Sequence, residues 1–187
     1  VKQCIEGIRH KTLYPKYEII LVDNGSDDPQ SQHYFDLLSK LKGITVIRDD
    51  GEFNYSAINN NAVEHANGEL VGLINNDIEV ISPDWLGEMV SIAMQNNVGA
   101  VGARLWYPND RLQHGGVIAG IGGIAGHSHK NLPKGASGYF CRGELIQEFS
   151  AVTAACLVIK KAIFEQVGGL EEEHLKIAFN DVDLCLK

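Results

Sequence analysis

Runs of apolar residues alternate along the chain with segments whose apolar positions recur at helical spacing. The first run, Tyr17 to Val22, contains β-branched residues and is followed at once by a dense turn signal, Asp23 to Pro29. This combination predicts a buried strand. Between residues 31 and 42 the apolar side chains follow a helical period, and Gly43 comes next. That pattern predicts a helix that ends at the glycine.

The same alternation continues to the last residues of the sequence. Further strands are predicted at 44–47, 70–74, 98–103 and 152–159, and further helices at 56–67, 82–96, 160–167 and from Asn180 onward. Residues 105–117 predict a hairpin that turns at 108–110, and the glycine-rich stretch 115–143 predicts a long loop. Because the strands are apolar throughout, we expect an α/β fold with a mostly parallel sheet and helices on both faces.

Composition fits a single domain with a buried core, since 44% of the 187 residues are hydrophobic. No stretch reaches the roughly 18 consecutive apolar residues that indicate a membrane span. The formal net charge of -8 argues against a nucleic-acid partner. A divalent cation could still mediate binding of a phosphorylated ligand. The four cysteines form no CxxC pair, which favours reduced thiols in a cytoplasmic protein.

Two polar clusters follow directly after predicted strands, Asp23 to Asp28 and Asn75 to Asp77. Ligands of open α/β sheets bind beyond the carboxyl ends of the strands, so both clusters should lie at one edge. The first combines a carboxylate, a glycine and a hydroxyl, which suits hydrogen bonds to a base or ribose. The second offers Asp77 as a hard oxygen ligand for a divalent cation. Either cluster alone could also be an ordinary turn.

A third cluster, Asn180 to Asp183, lies at the start of the last predicted helix. Asp181 and Asp183 are two positions apart, so on a helix they face different directions and only one can point into a shared cleft. Asp181 could act as a general base toward an acceptor hydroxyl. Capping of the helix by Asn180 or Asp181 is the structural alternative.

Three histidines, His114, His127 and His129, lie in or beside the glycine-rich stretch. They could suggest a zinc site, but two histidines two positions apart with no nearby cysteine are weak evidence for zinc. Contact with an acceptor or a diphosphate, and simple solvation in a loop, are the other possibilities.

Taken in order, these motifs resemble the family-2 glycosyltransferases of the GT-A fold. The resemblance is strongest to the bacterial group that builds O-antigen and other surface polysaccharides, which includes rhamnosyltransferases, and it extends through nearly the whole chain. The matching segments are 17–28, 53–60, 68–69, 75–77, 82–86, 113–116, 126–130, 153–157 and 180–184. Each motif alone is weak, and the specificity comes from their shared order.

The resemblance implies a role for each motif. The turn after the first predicted strand would recognise the nucleotide, two asparagines would line its pocket, the third strand would end in a DxD-like metal motif, and an ED-like pair would supply the catalytic base. The residues in these places are Asp23, Asn24, Gly25 and Ser26 for the turn, Asn54 and Asn60 for the pocket, Asn75, Asn76 and the metal ligand Asp77, and the base Asp181. His127, His129 and Asp183 are further candidates for contacts with the acceptor or the loop.

The implied reaction is inverting transfer of a sugar from a nucleotide-diphosphate-sugar to an acceptor hydroxyl on a glycan or a lipid-linked molecule. Mg²⁺ or Mn²⁺ would stabilise the charge on the leaving diphosphate. The sequence departs from the family pattern at Asn75, where the metal motif has an acidic residue, and at Asn180, where the ED pair has glutamate. A non-catalytic nucleotide-sugar-binding domain is the alternative. A nucleotidyltransferase is disfavoured because no GxGxxG or P-loop follows a strand.

The resemblance also carries expectations about the extent of the domain. Family members have a strand before the position of Val1, between the strands that end at Asp23 and Asn75, and a C-terminal end beyond Lys187. We therefore expect residues 1–187 to form one GT-A domain that lacks both, with little activity by itself. Any peripheral association with a membrane would then involve regions outside this sequence.

Overall fold

A computed structural model describes all residues, 1–187, as alternating helices and strands. The helices are α1 (Lys2–Lys11), α2 (Pro29–Ser39), α3 (Tyr55–Glu64), α4 (Trp85–Ala93), α5 (Lys161–Gln166) and α6 (Asn180–Leu186). The strands are β1 (Ile19–Asn24), β2 (Ile44–Asp49), β3 (Leu70–Ile74), β4 (Ala100–Gly102), β5 (Leu105–Trp106), β6 (Leu112–His114), β7 (Val117–Ala119), β8 (Ala125–His127) and β9 (Cys156–Lys160). No helix has the length and apolar character needed to cross a bilayer.

The strands form two main sheets and two short hairpins. β1 and β2 are parallel, with Ile19 opposite Ile44. β9 lies between β3 and β4 and is antiparallel to both. The pairs β5–β6 and β7–β8 are antiparallel hairpins. β1 and β3 share no hydrogen bonds, yet residues of both strands line one cavity.

The core lies on both faces of β9, because successive side chains of a strand point to opposite faces. Leu157 and Ile159 pack into a cluster with residues of α3, α5 and α6. Cys156 and Val158 pack on the other face against α4. Ile5 of α1 joins α2 and β2 in a third cluster. Helices on both faces of the sheet were expected from the apolar strands, and the structure confirms them.

Each predicted helix and strand is present, but the direction of pairing differs from the expectation. The sheet was expected to be mostly parallel, and only the β1–β2 pair is. Parallel neighbours are normally joined by a helical crossover. β9 instead follows a long excursion through two hairpins, so no crossover helix imposes a direction on it. The α/β class and the layered arrangement are as predicted.

Two elements were not predicted. Helix α1 precedes the first predicted strand, and its Cys4, Ile5 and Ile8 are buried. The stretch 115–143, predicted as a loop, contains the hairpin β7–β8, whose strands are three residues long each. Strands this short show no alternating pattern that would distinguish them from a glycine-rich loop.

Candidate active site

The candidate site is a cavity of about 800 Å³ whose walls come from β1, α3, β3, the β7–β8 hairpin and α6. The cavity brings together side chains that are far apart in the sequence. Of the predicted site residues, its lining contains Asp23, Asn24, Ser26, Asn75, Asn76, Asp77, His127 and Asp181.

The first wall is the turn at the end of β1. Asp23 is buried, and its carboxylate accepts hydrogen bonds from the Ser26 backbone N–H at 3.1 Å and from Arg48 Nη1 at 2.6 Å. Burial raises the pKa of Asp23, but the bonds from Ser26 and Arg48 outweigh it, so the pKa lies below its ordinary value. Gly25 has a φ of 69°, which the turn requires and glycine adopts without strain.

Arg48 is a residue of this wall that the sequence did not single out. The parallel register of β1 and β2 places it opposite Asp23, and it also donates to the Ser26 carbonyl at 2.9 Å. Asn24 donates to the carbonyls of Asp49 and Gly51, which ties the turn to the end of β2. The pairing of Arg48 with Asp23 could be predicted only once the register of β1 and β2 was known.

The second wall is the segment that follows β3. Asp77 is exposed, and the side chains of Asn75, Asn76 and Asp77 make no hydrogen bond or ion pair within the protein. Their oxygens are therefore free for a ligand. One carboxylate with amide oxygens is a hard donor set that fits Mg²⁺ or Mn²⁺, provided that water and phosphate oxygens complete the coordination.

The third wall is the start of α6, which carries Asp181. Its Oδ2 accepts a hydrogen bond from the Ala154 N–H at 3.1 Å. Burial and the nearby charge of Asp181 raise the pKa of Tyr55 to about 12, so Tyr55 stays neutral. Asp183 does not line the cavity and instead pairs with Lys187 at 2.8 Å. The expectation that only one of the two carboxylates faces a cleft is thus confirmed.

Asn180 fixes the position of this wall. Its side chain is buried, and Nδ2 donates to Ser56 Oγ at 3.1 Å and to the Leu175 carbonyl at 3.2 Å. Ser56 in turn donates to the same carbonyl at 2.8 Å. A glutamate, which the ED pair would have here, could not donate to Leu175. The amide therefore anchors α6 against α3 and holds the residue next to it, Asp181, at the cavity.

Replacing Asn180 by aspartate should destabilise the protein. The change keeps the shape of the side chain but removes both donated hydrogen bonds and places a buried carboxylate near the Leu175 carbonyl. We expect the free energy of unfolding to fall by about 1–3 kcal/mol, measured by urea unfolding at neutral pH. Asn59→Asp on α3 is the control, since Asn59 faces the cavity and bonds only to its own helix. Equal stability of N180D and the parent would contradict the anchoring role.

Five predicted residues do not line the cavity: Gly25, Asn54, Asn60, His129 and Asp183. Asn54 caps α3 by accepting from the Ala57 N–H, and its amide donates to the Glu172 carbonyl. Asn60 exchanges hydrogen bonds with the backbone of Leu170. Neither asparagine lines this cavity, because the helical period turns Asn60 away while Tyr55, Ile58 and Asn59 face it, and their nucleotide contacts stay a prediction.

His129 and Asp183 also lie away from this cavity. His129 Nδ1 lies 2.6 Å from the Ser128 hydroxyl, outside the cavity lining. Asp183 is held on the far face of α6 by its pair with Lys187. Neither is placed to contact a ligand in this cavity.

His127 is the one histidine that lines the cavity. Its Nδ1 lies 2.9 Å from Nδ1 of His114, and the two rings meet edge to face. His114 is 1% exposed and was not among the predicted site residues. A zinc site would need a third ligand, and His129 bonds elsewhere. The sequence showed the residues but not that β6 and β8 bring two of them into contact.

The chain matches the glycosyl transferase family 2 over residues 1–167. It is 51% identical over 188 residues to an uncharacterized protein, y4gI, of Sinorhizobium fredii, covering 100% of this chain and 21% of that protein. It is 38% identical over 190 residues to the O-antigen biosynthesis protein RfbC of Myxococcus xanthus, covering 100% of this chain and 15% of that protein. The chain thus spans about a fifth or less of the length of these two relatives.

Solved structures share the fold at low sequence identity. The mannosyltransferase PcManGT from Pyrobaculum calidifontis, in complex with GDP-Man and Mn²⁺, superimposes with a TM-score of 0.67 at 17% identity. The match covers 98% of this chain and 46% of that chain. The predicted GT-A fold is confirmed by this likeness.

Proposed function

This chain belongs to glycosyl transferase family 2, and we propose that it transfers a sugar from a nucleotide-diphosphate-sugar to an acceptor hydroxyl with inversion at the anomeric carbon. The observation that supports this proposal is one cavity lined by an uncommitted carboxylate, Asp77, and a second, oriented carboxylate, Asp181. The first suits a cation bound to a diphosphate, and the second suits a base.

Donor binding is assigned to the edge formed by the ends of β1 and β3. Ser26 and Asn24 both line the cavity, where the Ser26 hydroxyl and the Asn24 Oδ1 suit hydrogen bonds to a base or ribose, while the Asn24 amide nitrogen bonds Asp49 and Gly51. Asp77, with the amide oxygens of Asn75 and Asn76, would hold Mg²⁺ or Mn²⁺. When bound, the cation supplies positive charge that stabilises the leaving diphosphate.

Acceptor activation is assigned to Asp181. The hydrogen bond from the Ala154 N–H to Oδ2 orients the carboxylate at the cavity wall. The acceptor hydroxyl loses its proton to Asp181, its oxygen forms a bond to the anomeric carbon, and the bond to the nucleoside diphosphate breaks on the opposite face. Asp23 is less suited to be the base because the Arg48 guanidinium pairs with its carboxylate and holds its pKa below the ordinary value, whereas Asp181 accepts only from backbone N–H groups.

The biological setting proposed is the synthesis of a bacterial surface polysaccharide in the cytoplasm, with a glycan or lipid-linked acceptor. Its support is the likeness to a protein named for O-antigen biosynthesis. The complex of PcManGT with GDP-Man and Mn²⁺ supports a nucleotide-sugar donor and a divalent cation.

Donor binding can be tested by thermal unfolding of the full-length protein with UDP-, GDP- and dTDP-sugars. We expect one donor class to stabilise the protein by about 2.7 kcal/mol when Mn²⁺ is present and the donor is at about a hundred times its dissociation constant. The same donor without Mn²⁺ should stabilise it much less, since Asp77 alone repels a diphosphate. Binding without transfer to any acceptor would instead support a non-catalytic nucleotide-sugar-binding domain, and no stabilisation by any donor would refute the proposal.

A further inference from the structure

A series of polar contacts connects Thr153, through His114 and His127, to the cavity. The Thr153 N–H donates to Nε2 of His114 at 3.4 Å. Nδ1 of His114 lies 2.9 Å from Nδ1 of His127. The one hydrogen bond of the His127 ring within the protein is made by Nδ1, and the residue lines the same cavity as Asp181. None of these contacts is needed by the reaction assigned above.

The directions of these contacts determine where each proton lies. Because the Thr153 N–H is a donor, Nε2 of His114 must accept and carries no proton. The proton of neutral His114 therefore lies on Nδ1 and is donated to His127. Nδ1 of His127 must accept it, so the proton of His127 lies on Nε2. The backbone N–H of Thr153, in the segment that precedes β9, thus sets the tautomer of His127 through His114.

The surroundings keep both rings neutral. Burial and the neighbouring His127 lower the pKa of His114 to about 4. Burial and the charge of Lys130 lower the pKa of His127, and the opposing effect of Asp181 is smaller. At neutral pH His127 therefore presents one N–H donor and no positive charge to the cavity. A donor of this kind suits a neutral oxygen, such as a sugar hydroxyl, better than a diphosphate.

We infer that His127 Nε2–H donates a hydrogen bond to a hydroxyl oxygen of the acceptor sugar beside Asp181, and that His114 is the positioning residue that sets its tautomer. This inference rests on the proposed function, because it requires an acceptor in this cavity. His127 positions the acceptor, while Asp181 removes the proton. The specificity consequence is that the acceptor must present an oxygen next to the reacting hydroxyl.

The tautomer can be read directly from the long-range ¹H–¹⁵N spectrum of histidine-labelled protein without any ligand. We expect Nδ1 of His127 to show a pyridine-type shift and Nε2 a pyrrole-type shift. In His114→Leu the two tautomers should mix, whereas His114→Asn, whose amide can donate from a similar position, should retain the parent spectrum. A proton on Nδ1 of His127 in the parent protein would overturn the inference.

The functional arm uses the donor that stabilises the protein and a panel of methyl glycosides as acceptors. H114L and His127→Phe should raise KM for the acceptor about tenfold and leave nucleoside diphosphate binding with Mn²⁺ unchanged, while H114N retains near-parental KM. Weaker diphosphate binding by H127F would overturn the acceptor contact. If the parent protein binds no donor, the proposed function and the acceptor contact both fail. If the parent protein binds the donor and transfers the sugar but His127 carries its proton on Nδ1, only this inference is refuted.

Discussion

Replacing Asp181 by asparagine is expected to lower the rate of sugar transfer by roughly 10²–10⁴-fold, the usual contribution of a general base. Asparagine keeps the shape of the side chain, but its one carbonyl oxygen can accept the hydrogen bond from Ala154 or the one from Val182, and not both. The amide cannot take a proton from the acceptor. The loss of rate should therefore appear in kcat while donor affinity stays close to that of the parent, and the free energy of unfolding should fall by about 1–3 kcal/mol because one backbone N–H loses its acceptor.

Asp183→Asn is the matched control for this experiment. It makes the same chemical change two positions away on α6, outside the cavity lining, where the carboxylate pairs with Lys187. That variant should retain nearly full transfer activity. The measurement is release of nucleoside diphosphate in the presence of acceptor by the full-length protein. Unchanged turnover of D181N would remove Asp181 as the base, and equal losses in both variants would point to the helix rather than the carboxylate.

The sequence was sufficient for much of the fold because its strong signals are local. The strand that ends at Ile74 was predicted with the bounds that the structure shows, since five residues of apolar character end at a polar turn. The direction of β9 was not predictable in the same way. Whether a strand pairs parallel or antiparallel depends on the path of the intervening chain, and the signal of the short β7–β8 hairpin was too weak to reveal that path.

The candidate site likewise contains residues that local signals predicted and residues that depend on contacts between distant segments. Asp77 and Asp181 were predicted because each follows a recognisable element boundary and resembles a family motif, and the structure places both at one cavity. Asn60 lies outside the cavity lining, which the sequence did not reveal because a motif match does not say which face of a helix a residue occupies. Arg48 was missed because its contact with Asp23 depends on the register of β1 and β2, and the contact of His114 with His127 was not predicted because it joins strands of two different hairpins.

Replacing Asp77 by asparagine is expected to weaken Mn²⁺-dependent donor binding at least about a hundredfold. Asp77 is the only carboxylate in the segment 75–77, so its loss removes the formal negative charge that would hold the cation. The stabilisation of charge that a catalytic cation supplies is worth several kcal/mol, and each 1.4 kcal/mol is tenfold in affinity. The measurement is calorimetric titration of the donor in the presence and absence of Mn²⁺.

Adding a carboxylate at Asn75 tests the same cation site by a gain, rather than a loss, of Mn²⁺ binding. Asn75→Asp adds a second carboxylate at the cavity wall and should tighten Mn²⁺ binding by about tenfold, since affinity for hard cations follows the number of charged ligands. Glu79→Gln is the control, because Glu79 lies two positions beyond Asp77 and pairs with Lys11 outside the cavity. A gain in N75D with a loss in D77N locates the cation between the two side chains. Unchanged Mn²⁺ dependence in both variants would place the cation away from these two side chains. Asp23 could not replace them, because Arg48 and Ser26 already bond its carboxylate, so the proposed donor site would then lack a cation ligand.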